Sequence, residues 1–174
     1  MGKEREDERF NQIKQNIPSF ITQEFNTLLY IGVGYRTKFQ FQSHLDNLNY
    51  NITILEAHKP NLRKHRGKYA IINADITKFK TKRRWDIVMW WHGPEHISKG
   101  ELKPTLQKLE RMAKKLVILG CPWGKYVQGV VGGNPYEVHK THLYPKDLVE
   151  LGYSVKTLER PNKMGSNILA WKFI

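Results

Sequence analysis

The 174-residue sequence holds one cysteine, Cys121, which excludes an intrachain disulfide and a cysteine-built zinc site. Its seven histidines are scattered and form no His-Glu-x-x-His pair. No apolar run approaches about 18 residues, which leaves no segment to span a bilayer as a helix. Residues 1–9 are charged and lack the apolar stretch of a secretory signal. Gly2 is followed at position 6 by Glu rather than Ser or Thr, so the myristoylation motif fails. Acidic residues are scarce: 16 Asp and Glu against 29 Lys and Arg leave a net charge of +13. The expectation is a soluble, cytoplasmic protein of a reducing compartment whose basic surface invites an anionic partner.

What is present suits one folded unit. The length fits a single domain over 1–174, with residues 1–25 as an N-terminal helical segment and 26–174 as its core. Phe10, Ile13, Ile17, Phe20, Ile21 and Phe25 recur at helical spacing, with Pro18 set to break the run. Short apolar strands follow at 28–31, 51–55, 69–73, 85–91 and 116–119, and two more at 153–158 and 168–173. Helical stretches are expected at 38–48, 99–114 and 145–151, and residues 160–165 read as a turn. Strands alternating with helices predict an α/β fold: a doubly wound, Rossmann-like, mostly parallel sheet ending in an antiparallel hairpin. Residues 121–144 form a long loop rich in glycine and aromatics, and loops of that length carry function or are disordered.

A doubly wound sheet binds its ligand at the carboxyl ends of its strands. Those ends read Gly32-Val-Gly34, Glu56, Asp75 and His92-Gly-Pro-Glu-His96. The glycines permit close approach of a ligand to the backbone. Glu56 is placed to accept hydrogen bonds from ribose hydroxyls, and Asp75 to take the exocyclic amine of an adenine. A dinucleotide fingerprint fails, because Thr37 stands at its sixth position.

The motifs Leu-Leu-Tyr-Ile-Gly-Val-Gly, Ile-Leu-Glu56-Ala, Asn-Ala-Asp75-Ile and Trp-Asp-Ile-Val-Met-Trp-Trp, with the closing hairpin, resemble a class I S-adenosylmethionine (SAM)-dependent methyltransferase over about residues 26–174. The resemblance implies a seven-stranded sheet with its last strand antiparallel, and SAM as cofactor. Tyr30, Gly32 and Gly34 would then meet the methionine part, Glu56 the ribose, and Asp75 with Ile76 the adenine. Trp91 and His92 would line the methyl-transfer site. Two positions depart from the family pattern: Tyr30 replaces an acid, and Arg36 replaces the third glycine. The implied activity is methyl transfer to an unassigned acceptor, which we expect to be a small molecule. An RNA acceptor, or a non-catalytic SAM-fold module that binds nucleic acid, are the alternatives.

Two clusters offer a general base: His92, Glu95 and His96, and Glu137, His139 and His142. His92 and His139 are the preferred catalytic pair. Asn134-Pro-Tyr136 is one proline short of the adenine amino-methylation motif and follows the wrong strand. Cys121 lacks the partner motif of a cytosine methylase, and no carboxylate set for a metal stands out. Trp123, Tyr126, Tyr136 and Tyr144 either wall a pocket, stack on a base or order the loop. The basic excess is local: residues 58–84 hold ten Lys and Arg and one acid, Asp75. That stripe suits phosphate binding or is a solvated face.

Overall fold

The computed structural model describes residues 3–22, 25–158 and 167–174. Helix α1 (Lys3–Asn16) leads through a 3-10 turn at Pro18–Phe20 into strand β1 (Thr27–Ile31). Helix α2 (Gln42–Asn47), strands β2 (Asn51–Glu56), β3 (Ala70–Asn73) and β4 (Trp85–Trp91), and helix α3 (Lys99–Met112) follow. The chain ends with β5 (Ala113–Pro122), α4 (Pro145–Val149), β6 (Ser154–Leu158) and β7 (Asn167–Phe173). The turn expected at 160–165 lies outside the described residues.

The seven strands form one sheet in the order β3-β2-β1-β4-β5-β7-β6. Pairing is parallel from β3 to β5, and β7 runs antiparallel between β5 and β6. The central strands β1 and β4 are nearly continuous apolar runs because both of their faces are buried. Alternate residues separate onto the two faces. Leu28, Tyr30, Ile87, Met89 and Trp91 pack against α1 and α2, while Leu29, Ile31, Val88 and Trp90 pack against α3. The chain turns one way from β1 and the other way from β4, so the switch point lies between these neighbours.

Three expectations change. The helix expected over 38–48 shrinks to α2, and Phe41 precedes it in left-handed geometry (φ 67°). Phe39 and Phe41 are both buried, yet two residues apart they cannot share one helical face. An irregular chain seats Phe39 on Tyr30 and Phe41 edge-on against Trp91. The helix expected to reach residue 114 yields at Ala113, where β5 begins and runs to Pro122, longer than the predicted 116–119. The crossovers around β3 contain a 3-10 segment (Lys59–His65) and irregular chain.

Candidate functional site

A cleft of about 570 Å³ opens at the carboxyl ends of β1, β2 and β4, within the range of small-molecule and cofactor sites. All nine residues singled out from sequence line it: Tyr30, Gly32, Gly34, Glu56, Asp75, Ile76, Trp91, His92 and His139.

The floor is the turn after β1. Gly32 (φ 76°) and Gly34 (φ 66°) hold left-handed conformations that side chains resist. Glu56, 4% exposed at the end of β2, locks this turn. Its Oε2 accepts from Val33 N at 3.0 Å and Gly34 N at 3.3 Å, and its Oε1 from His58 N at 2.7 Å. Two carboxylate oxygens offer about four acceptor sites, so one remains toward the cleft. Asp75 Oδ1 accepts from the Thr77 N–H and hydroxyl, both at 2.8 Å. Tyr30 is fully buried with its ring 4.4 Å from that of Phe39. Burial, and then the charge of Glu6, push its phenol well above the usual range.

The far wall follows β4. Trp91 is buried, and its indole fills the space beside Gly120, where a Cβ would approach Trp91 Cδ2 to 2.3 Å. His92 adopts φ 51°, a strained backbone for a residue other than glycine. Its Nδ1 lies 3.3 Å from Glu95 Oε1 and its Nε2 lies 3.5 Å from Arg9 Nη1. Arg9 is a contribution of α1 that no sequence pattern announces. Glu6 and Asp7 hold that helix in place, through Phe41 N at 2.9 Å and His44 Nε2 at 2.8 Å.

Residues 123–144 close the cleft from above. Lys140 N and Thr141 N donate to the Glu95 carbonyl at 2.9 and 3.1 Å, and the buried Thr141 hydroxyl donates to Ile97 O at 2.7 Å. This clip joins the two histidine clusters, setting the rings of His96 and His139 4.8 Å apart. His142 does not join them; it is exposed and away from the cleft. His139 packs between His96 and Tyr126. Neither Glu95 nor His96 caps the next helix; Ser98 and Glu101 form its capping box. Tyr126 and Tyr136 line the cleft, whereas Trp123 and Tyr144 do not.

Electrostatics divide the acids. Burial alone would raise Glu95, but the His92 hydrogen bond and the charges of His92 and His96 hold it below the usual carboxylate range. Burial lowers His96, against the opposing pull of the Glu95 charge. Burial and the nearby charge of Glu56 raise Glu137, which reaches to within 3.9 Å of a Cβ placed on Gly34. Cys121 is buried, and burial with the Glu95 charge pushes its thiol well up. A protonated thiol is a poor nucleophile, in keeping with the sequence reading of Cys121. The carboxylate and imidazoles of Glu95, His96 and His139 nonetheless form a compact set that the sequence does not reveal.

No family model and no curated protein matches the sequence. Solved structures do match the fold. An N-methyltransferase, NodS of Bradyrhizobium japonicum WM9, aligns at TM-score 0.67 and 13% identity, covering 98% of this chain and 96% of its own. A SAM-dependent methyltransferase from Archaeoglobus fulgidus aligns at 0.62 and 16%, covering 96% and 94%. Magnesium protoporphyrin IX methyltransferase (ChlM) from Synechocystis PCC 6803, solved with bound SAM, aligns at 0.64 and 10%, covering 92% and 78%. The chain therefore has the Rossmann-like fold of class I SAM-dependent methyltransferases.

Proposed function

We propose that the protein is a SAM-dependent methyltransferase whose acceptor is a small molecule. The observation that carries the proposal is the convergence of the glycine turn, Glu56, Asp75 and Ile76, and Trp91 with His92 on one cleft at the strand ends of this fold. SAM supplies a methyl on a positively charged sulfur, which leaves with the carbon–sulfur electrons when an acceptor attacks.

The chain's own residues bind and align. The N–H-bonded Glu56 carboxylate presents its remaining acceptor site to ribose hydroxyls, already oriented. Asp75 Oδ2 takes the adenine amine, with buried Ile76 against the base. Tyr30, Gly32 and Gly34 bound the methionine end. The acceptor lies by Trp91 and His92, under the loop carrying His139. His92 takes its proton at Nε2, where the acceptor displaces the 3.5 Å contact from Arg9 Nη1, and the 3.3 Å contact of Nδ1 to Glu95 stabilises the imidazolium formed.

Charge favours the small molecule over RNA. Among the described residues, four cationic side chains line the cleft (Arg9, Arg36, Lys38 and Lys140) against five carboxylates, and none of the ten Lys and Arg of 58–84 is among them. Ultraviolet crosslinking of methyl-labelled SAM, followed by peptide mapping, tests the placement. Label is expected on peptides carrying residues 30–36 or 90–96. Label confined to 58–84, or none, overturns it.

A further inference from the structure

We infer that Glu95, His96 and His139 form a binding site for one divalent transition-metal ion of the zinc class, opening into the cleft. Their ligand atoms all lie within 4.8 Å of one another. Metal bonds of about 2.1 Å in a tetrahedral set need separations of roughly 3.4 Å, so side-chain rotation of about 1 Å closes the site.

Three independent features support it. Glu95 is 2% exposed, and its Oε2 is buried with no hydrogen-bond partner among the described residues. An unsatisfied buried carboxylate oxygen is costly and calls for a cation or donor. Both imidazoles are held in one tautomer. His96 Nδ1 lies 3.3 Å from Val138 O and His139 Nδ1 lies 2.7 Å from Tyr126 O. A carbonyl only accepts, so each Nδ1 carries the hydrogen and each Nε2 presents its lone pair. Backbone carbonyls behind the ligating rings are the usual support of histidine metal ligands. The donor set is also framed: the Glu95 carbonyl accepts from Lys140 N and Thr141 N, which brings His139 to its partners. His92, donating to Glu95 Oε1 at 3.3 Å, orients the carboxylate from behind.

Two imidazoles and one carboxylate favour Zn(II), Fe(II) or Co(II) over Mg(II) and Ca(II), which prefer all-oxygen shells. Three protein ligands leave at least one position open. Because all three residues line the cleft, that position faces the acceptor side. The rival account is a buried carboxylate balanced by an imidazolium, with no ion.

The test is titration of chelator-treated, full-length protein with Zn(II), followed by calorimetry, with Co(II) absorption as a second readout. One Zn(II) per chain is expected, with visible Co(II) bands of a low-coordinate nitrogen–oxygen site. Affinity should fall on the order of 100-fold in His139→Ala and in Glu95→Gln. His139 lies on a partly exposed loop, so that variant keeps the fold, checked by circular dichroism. His142→Ala, an exposed control, should bind as the parent does. Absence of one-to-one binding, undiminished binding in His139→Ala, or equal binding of Mg(II) overturns the inference. The ion site does not depend on the methyl-transfer reading: Zn(II) binding without SAM binding would retain the first and remove the second.

Discussion

Glu56 performs two tasks with one carboxylate. It accepts the Val33 and Gly34 N–H groups that fix the turn after β1 and the His58 N–H that follows β2, and it faces the cleft. Glu56→Ala should weaken SAM binding at least about tenfold, since hydrogen bonds to a charged group contribute about 1.5–3 kcal/mol; titration calorimetry measures it. Unchanged affinity would place the cofactor elsewhere. Glu56, Asp75 and His92 are legible in sequence because each ends an apolar strand, and strand ends define the site in this fold. The pairing of Glu95 and His96 with His139 is not, because it depends on the long-range backbone hydrogen bonds from Lys140 N and Thr141 N to Glu95 O. Arg9 is equally hidden: its place beside His92 follows from the docking of α1, which rests on Glu6 and Asp7 reaching α2 and the residue before it.

At the scale of elements, β4 and β5 set the far wall. Gly120 on β5 leaves room for the Trp91 indole. Gly120→Ala should destabilise the protein by about 2 kcal/mol through overpacking, read as a shift of the urea midpoint, and should also weaken ligand binding at the cleft. Asp86 on β4 ties that strand to β1. Burial would raise its carboxyl, but hydrogen bonds from Thr27 Oγ1, Thr27 N and Asn26 N, with Lys114 beside it, hold it at about 2. A folded value below the unfolded one near 3.9 means stabilisation above that pH, lost as pH falls toward about 2. The parent should exceed Asp86→Asn by about 2 kcal/mol at pH 7, and the gap should close between roughly pH 4 and 2; a gap independent of pH would contradict this role. Strands were legible because buried apolar runs identify them. The helix around residues 38–48 was not, because two buried phenylalanines two residues apart override helical spacing, which only packing decides.

At the scale of the molecule, the +13 charge separates from the cleft. All ten Lys and Arg of 58–84 are exposed, on the connections flanking the edge strand β3. If they dock RNA, affinity should fall steeply with salt, and filter binding from about 50 to 200 mM salt reads the slope. No binding at low salt would assign the stripe to solvation. The fold class and sheet order were readable from alternating elements, whereas the closure of the loop over the cleft was not. The central claim is that this cleft holds SAM. Calorimetric titration of the purified protein with SAM tests it most directly: one-to-one binding with a matching rise in thermal stability is predicted, and no heat with no thermal shift would contradict it.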